Sequence, residues 1–246
     1  MLEALVHGLL YHRMLAENVT LQDTISLKRD FDYSFVVSYG EFQDSEYQVV
    51  DKNSYLLDVS RDIDSIFSTF NSTCRNEIRR TEKITELSFH DKVEDFDTIY
   101  SFHRESERER NWYPVPEDEL RNSIVFYAAY KGIPISGMSC YSSRTRLRVG
   151  RIFSRRRANS LEALQPIVFS GAARRIVFEL CKFAKNHGLV TLDLGGIDVA
   201  DTAKSGLTKF KMSFNGAVVP VKIGRFTKPT CIEKLPHLRE LGVDLT

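Results

Sequence analysis

The sequence lacks the features that define several large classes of protein. No hydrophobic run approaches the roughly 18 to 20 residues that cross a bilayer. The apolar start of the chain lacks the positively charged residues and the small-residue cleavage site of a signal peptide. The 4 cysteines form no CxxC pair and no Cys/His spacing typical of a tetrahedral metal site. We therefore expect a soluble, cytoplasmic protein with no membrane span and no metal.

Several catalytic motifs are missing as well. The chain has no Walker-type phosphate loop, no GxGxxG motif after a predicted strand and no GxSxG turn. These absences argue against NTPases, dinucleotide-dependent enzymes and serine hydrolases.

Charge of neither sign is in excess over the whole chain. The 34 Lys and Arg residues face 33 Asp and Glu residues, which gives a formal net charge of +1. Such a balance supplies no general attraction to nucleic acid or to an anionic membrane, so any polyanion has to be met by a local basic cluster. The 246 residues, 42% of them hydrophobic, suffice for one large or two small globular domains.

Hydrophobic periodicity predicts a mixed α/β protein. In the first part of the chain it predicts a helix over residues 1–19, strands at 33–39, 47–50 and 55–59, and a helix over 60–82. The composition turns acidic just after residue 90. We therefore expect an amino-terminal α+β portion over residues 1–90 and a catalytic module over 91–246.

The second part of the chain predicts an antiparallel meander followed by a crossover. The expected elements are a helix over 96–111, strands at 124–130, 135–141 and 146–153, a helix that begins at Pro166, and a strand at 190–194. A helix between neighbouring strands adds a parallel pair to the sheet. Ligands often bind where such strands separate.

Two segments near the carboxyl end carry a resemblance to a known family. Leu192-Asp-Leu-Gly-Gly-Ile-Asp198 and Gly206-Leu-Thr-Lys-Phe-Lys-Met-Ser-Phe-Asn-Gly216 resemble the signature of the Fem-type aminoacyl transferases, which build peptidoglycan cross-bridges. Lys185-Asn-His-Gly188 and Thr73-Cys-Arg-Asn-Glu-Ile-Arg-Arg80 resemble further parts of that family. The resemblance implies a GNAT-like acyltransferase fold. The chain is short for two GNAT modules and has no inserted helical arm for tRNA, so it resembles a compact N-acyltransferase that acts on amino sugars.

That resemblance implies a coenzyme A thioester as the acyl donor and assigns residues to bind it. The stretch from 144 to 157 holds seven arginines, just before the helix at Pro166. Guanidinium groups and a helix amino terminus both suit phosphate oxygens. The predicted donor-binding residues are Arg151, Arg155, Arg156, Arg157 and Asn159. The glycines of the usual Q/RxxGxG/A loop are absent, and a solvated strand face is the alternative interpretation of this stretch.

Three residues are predicted to be catalytic. Asp193 and Asp198 are candidate bases for the acceptor ammonium, and Lys211 matches the family lysine that could stabilise an oxyanion or hold a phosphate. As alternatives, Asp193 caps the following loop and Lys211 lies on a helix surface. Residues 205–216 contain no tyrosine, so no general acid is assigned.

Other residues are predicted to contact the substrates. Gly195 and Gly196 allow close approach of backbone to a ligand, and Phe210 accompanies Lys211. Arg75 and Arg79 lie one helical turn apart and suit a nucleotide-sugar diphosphate, whereas Trp112 suits stacking on a sugar or base. Solvated helix arginines and an aromatic plug beside a proline are the alternatives.

The function predicted from the sequence is N-acyl transfer from acyl-CoA to the amine of a nucleotide-linked amino sugar or related cell-envelope glycan precursor. Both substrates would carry phosphate. The alternatives are aminoacyl transfer from charged tRNA to a peptidoglycan precursor and a non-catalytic ligand-binding relative. The acyl group, the sugar and the oligomeric state are not assigned by the sequence.

Overall fold

The computed structural model describes residues 2–6, 9–112, 115–155, 166–198 and 206–234. The strands are β1 (Leu2–Val6), β2 (Leu9–Ala16), β3 (Tyr33–Ser38), β4 (Gln48–Asp58), β5 (Leu87–His90), β6 (Ile124–Tyr130), β7 (Ile133–Ser142), β8 (Arg146–Ser154), β9 (Thr191–Gly196) and β10 (Ala217–Thr227). The helices are α1 (Leu21–Asp30), α2 (Ile63–Thr69), α3 (Ser72–Thr81), α4 (Phe96–Arg110), α5 (Glu117–Arg121), α6 (Pro166–Asn186) and α7 (Gly206–Met212), followed by a 3-10 helix at Pro229–Lys234.

All of these strands form one mixed sheet in the order β1-β2-β3-β10-β4-β9-β8-β7-β6-β5. The predicted meander is confirmed, because β6, β7 and β8 pair antiparallel. The predicted crossover is also confirmed, because α6 connects β8 to β9 and these two strands pair parallel. The division near residue 90 stays a prediction; β4, which precedes it, pairs with β9 and β10, which follow it.

The expected amino-terminal helix is wrong. Residues 2–6 and 9–16 are strands, and β2 pairs parallel with β3 in the register Tyr11 to Tyr33. The short apolar run fits either period, and the neighbouring strand decides between them by supplying backbone hydrogen-bond partners. The stacked rings of Tyr11 and Tyr33, with centroids 5.2 Å apart, add a cross-strand contact that the local pattern does not reveal.

The long helix expected over residues 60–82 is divided in two. Phe70 is buried and extended between α2 and α3, with φ −61° and ψ 146°. The side chain of Asn71 caps the second helix by accepting a hydrogen bond from the Cys74 backbone N–H at 2.8 Å. The two short strands expected at 47–50 and 55–59 are one continuous strand, β4.

The two faces of the sheet carry different layers. Helices α2, α3 and α6 pack on one face over the largest apolar cluster, which includes Leu57, Ile78 and Ile176. Helix α4 packs on the other face. The sheet curls, so that Tyr141 of β7 joins a cluster with Tyr11 of β2. In the part of the chain that the structure describes, no helix combines the length and apolar character needed to cross a membrane.

Candidate active site

A cavity of about 730 Å³ lies where β8 and β9 separate. These strands pair at only three positions, ending with Arg148 opposite Asp193, and the residues that follow on each strand line the cavity. The residues that line it include Arg13, Arg110, Trp112, Arg148, Arg151, Phe169, Ser170, Ala173, Gly195, Gly196, Phe210 and Lys211. The cavity therefore lies at the separating strands, where ligand binding is expected from the sequence.

The cavity has two halves, because strand β8 presents its side chains to both faces of the sheet. Leu147, Val149 and Ile152 pack in the apolar cluster beneath α6. An irregularity in the β7–β8 register leaves Gly150 as an extra residue, with Val149 opposite Cys140 and Arg151 opposite Ser139. The alternation on either side of this bulge therefore directs Arg148 and Arg151 to the face opposite α6.

Asp193 is the centre of a buried hydrogen-bond network at the point of separation. Its carboxylate is fully buried and forms an ion pair with Arg148. It also accepts hydrogen bonds from the hydroxyls of Tyr39 at 2.5 Å and Ser54 at 2.7 Å, and from the Gly195 backbone N–H at 2.6 Å. Burial, then the Asp193 charge, raises the pKa of Tyr39 well above its usual value, so Tyr39 stays a donor.

Lys211 reaches the same region from α7. The side chain is buried, and its Nζ donates a hydrogen bond to the Gly196 carbonyl at 2.5 Å. Burial and the neighbouring Arg148 charge lower the pKa of Lys211 to about 8. Gly195 has φ +81°, a backbone conformation that favours glycine over residues with a Cβ. The turn therefore places the Gly196 carbonyl next to the Lys211 ammonium at one wall of the cavity.

Arg13 and Arg151 both line the cavity, although they are far apart in sequence. Arg13 comes from β2 and forms an ion pair with the buried Glu119 of α5 at 3.0 Å. The Nε of Arg151 is buried and has no hydrogen-bond partner among the described residues. Burial and the nearby Arg13 charge lower the pKa of Arg151.

Trp112 lies at the rim of the cavity and is 42% exposed. The Arg110 guanidinium carbon is 5.2 Å from the centroid of its ring. Arg110 also donates to Ser154, with 2.6 Å between Nη2 and Oγ. An aromatic surface therefore lies beside Arg110 at the edge of the cavity.

The structure brings together many of the residues predicted from the sequence. Those that line the cavity are Arg151, Lys211, Gly195, Gly196, Phe210 and Trp112. Asp193 lies behind this lining, at the centre of its network, and Asp198 is exposed beyond the end of β9.

Other predicted residues lie away from the cavity lining. Arg155 forms an ion pair with Glu105 of α4 at 3.1 Å. Arg75 donates to the Ser68 carbonyl at 2.8 Å, and the Arg79 guanidinium lies 5.3 Å from the Phe67 ring. The predicted substrate contacts of Arg75 and Arg79 stay predictions, but their guanidinium groups are used within the α2–α3 segment. Arg156, Arg157 and Asn159 lie outside the described residues.

Sequence reasoning missed Arg13, Tyr39, Ser54 and Arg148 as site residues. Arg13 was assigned to a helix, and in the structure it faces the cavity from a strand. Tyr39 and Ser54 are 154 and 139 positions from Asp193 in sequence, so only the sheet order brings them together. The alternation of arginines along 144–151 was the available signal for Arg148.

Comparison with known proteins identifies the architecture. The model of the FemAB family matches residues 169–235, which include most of α6 and all of β9 and α7. FemX is similar over 88% of this chain and 70% of its own, with 12% identity and a TM-score of 0.58. The chain has a Fem-related fold.

Two further solved structures are similar in fold to this chain. L-PGS from Bacillus licheniformis has 11% identity and a TM-score of 0.54, covering 89% of this chain and 75% of its own. The carboxyl-terminal domain of a putative lysylphosphatidylglycerol synthetase from Agrobacterium fabrum has the same identity and TM-score, covering 97% and 84%. No curated protein sequence matches the chain.

Proposed function

We propose that the protein transfers an acyl group from an acyl-CoA thioester to the amine of a nucleotide-linked amino sugar or a related cell-envelope glycan precursor. One observation carries this proposal: the buried ammonium of Lys211 lies in a cavity that has a lining on both faces of the separated strands. Transfer between two bound substrates needs such an arrangement, in which each substrate enters its own half and the reacting atoms meet between them.

The donor is assigned to the half beneath α6. Phe169, Ser170 and Ala173, from the first two turns of this 21-residue helix, line the cavity. A helix amino terminus favours phosphate oxygens through its free N–H groups and its dipole. The apolar side chains of Phe169 and Phe210 provide a surface for an acyl chain and its thioester.

The chemistry requires stabilisation of one developing negative charge. The neutral acceptor amine attacks the thioester carbonyl carbon, the carbonyl oxygen becomes an oxyanion, and the C–S bond then breaks. The products are an amide and a free thiol, and the proton that the amine loses balances the thiolate. Lys211 is the group assigned to the oxyanion, because a buried ammonium is a strong hydrogen-bond donor to a developing negative charge.

The two aspartates receive different assignments. Both carboxylate oxygens of Asp193 already accept hydrogen bonds, so we assign it to holding Arg148 and the Gly195 turn in place. Asp198 is exposed next to β9 and is retained as the candidate base. We also assign the reaction to the cytoplasm, which suits a chain whose 4 cysteines are free thiols.

The second candidate function is aminoacyl transfer from charged tRNA to a peptidoglycan precursor. The FemAB match favours it, because the matched residues 169–235 include the α6 and α7 walls of the cavity. The same lysine would stabilise the oxyanion formed at the aminoacyl ester. A non-catalytic relative would bind these ligands without turnover.

A transfer assay with a matched pair of lysine variants tests the proposal. Labelled acetyl-CoA is incubated with nucleotide-linked amino sugars, and the labelled amide is quantified for the wild type, Lys211→Gln and Lys209→Gln. Lys209 lies two residues away and is exposed, so its variant controls for loss of one positive charge on α7. We expect Lys211→Gln to lose about 100-fold or more in kcat, as when an oxyanion donor is removed. Equal turnover by both variants would remove Lys211 from the mechanism. If labelled product forms with a labelled aminoacyl-tRNA as donor but not with labelled acetyl-CoA, the second function is favoured.

A further inference from the structure

The cations of the cavity are concentrated in one half. The four arginines that line it are Arg13, Arg110, Arg148 and Arg151. No carboxylate belongs to the cavity lining within the described ranges. Arg148 and Arg151 lie on the face opposite α6, and the Arg13 guanidinium is 5.8 Å from the ring of Tyr141. This half is therefore distinct from the half assigned to the donor.

The partners of these arginines differ from one residue to the next. Arg148 is paired with Asp193 and Arg13 with Glu119. Arg110 donates to the backbone and side chain of Ser154. The Nε of Arg151 is buried and has no hydrogen-bond partner among the described residues.

Arg151 is consequently in an electrostatically unfavourable position. Burial lowers the pKa of Arg151 and the Arg13 charge lowers it further, while the charges of Glu119 and Glu107 act in the opposite direction. A buried donor without a partner is costly, and two like charges that share a low-dielectric site repel each other. An anion that enters this half would receive hydrogen bonds from Arg151 and relieve both effects.

We infer that Arg151 and Arg13 bind an anionic group of the amine acceptor, a phosphate or a carboxylate. The acceptor is then an amine that also carries an anion, and a neutral amino sugar alone lacks the group that this half is built to hold. The assignment of this anion to the acceptor rests on the proposed function, whereas the anion subsite itself does not. The inference moves Arg151 from the donor, to which the sequence assigned it, to the opposite side of the reacting centre.

The chain contains its own reporter for this subsite. Trp112 is the only tryptophan of the 246 residues, and it lines the same half of the cavity beside Arg110. Its fluorescence can therefore be followed while the full chain is titrated with inorganic phosphate or with acetate at constant ionic strength, with chloride as the balancing anion. The anion that binds more tightly identifies the chemistry of the group.

The variants separate the subsite from general charge effects. We expect saturable binding by the wild type, at least a tenfold weaker affinity in Arg151→Gln, and no change in Arg144→Gln, whose arginine is exposed in the β7–β8 turn. Because Arg13→Gln alone leaves the buried Glu119 unpaired, the double variant R13Q/E119Q is the second test, and it should also lose affinity. Equal affinity in Arg151→Gln, or no saturable response to either anion in the wild type, would overturn the inference.

A separate titration with CoA distinguishes this inference from the proposed function. Arg151→Gln should bind CoA as the wild type does. If Arg151→Gln loses CoA and phosphate affinity together, the subsite belongs to the donor and the assignment to the acceptor is overturned. If neither protein binds CoA while phosphate still depends on Arg151, the proposed donor fails and the anion subsite stands.

Discussion

Arg148 and Asp193 are the last residues paired between the parallel strands β8 and β9, and their side chains form a buried ion pair where the strands separate. The pair therefore marks the vertex from which the cavity opens. Ser54 of β4 donates to Asp193 and accepts from the Arg148 guanidinium at 2.8 Å, so a third strand contributes to the same network. These contacts position the Gly195 turn and the groups around Lys211.

Replacement of Asp193 should be strongly destabilising. Asp193→Asn leaves the buried Arg148 charge unpaired, which costs about 3 to 5 kcal/mol in the free energy of unfolding. Urea denaturation measures this, with Asp51→Asn as a control, because Asp51 pairs with Lys222 at the surface and its loss should cost less than about 1 kcal/mol. The double variant R148M/D193L should recover much of the loss. A single variant as stable as the control would contradict the role of the pair.

Removal of the Tyr39 hydroxyl should weaken the same network. Tyr39→Phe deletes one hydrogen bond to a buried carboxylate, which corresponds to about 1.5 to 3 kcal/mol of stability. The control is Tyr130→Phe, because Tyr130 is half-buried and has no hydroxyl hydrogen bond with a described residue. Thermal unfolding of both variants should separate them, and equal transition temperatures would be evidence against the Tyr39 contact.

The neighbouring glycines at the end of β9 should respond differently to alanine. Gly195→Ala places a Cβ on a residue with φ +81°, a cost of about 1 to 2 kcal/mol, and tilts the turn that receives the Lys211 hydrogen bond. Gly196→Ala meets only an ordinary contact, 3.9 Å from the Asn53 carbonyl oxygen. We expect loss of stability and turnover in the first variant and much smaller changes in the second. The reverse order would show that the turn is not constrained as described.

The pH dependence of turnover should report Lys211. If its ammonium stabilises the oxyanion, kcat should decline as pH rises through about 8, the pKa of Lys211 in the folded protein. The unfolded chain binds this proton up to about pH 10.4, so the contribution of Lys211 to stability should increase between about pH 8 and 10.4. In Lys211→Met, denaturation curves over this range should lack that increase. A kcat that rises through pH 8 would instead indicate that neutral Lys211 is required.

Local patterns predicted the central part of the fold well. The meander at 124–153, the helix that begins at Pro166 and the strand after it were expected, because their period and their Pro and Gly signals agree with the tertiary structure. Residues 1–19 were misassigned, since a parallel neighbour 22 positions away decides their conformation. Phe70 was expected inside a helix because its apolar spacing fits, but the Asn71 cap starts a new helix there.

The candidate site was predictable where it follows a strand end. Gly195, Gly196, Phe210 and Lys211 were identified from one short segment, and they line one cavity. Arg13 was not identifiable, since its place depends on the curl that brings β2 close to β7. Partners from distant strands leave no local signal.

Calorimetric titration with acetyl-CoA tests most directly whether this cavity is the donor site of an acyltransferase. We predict micromolar binding by the wild type and its loss in Ala173→Phe, because Ala173 of α6 lines the donor half and a phenyl ring there would occupy it. Circular dichroism establishes that the variant is folded. Absence of binding by the wild type, or unchanged binding by a folded Ala173→Phe variant, would contradict the account.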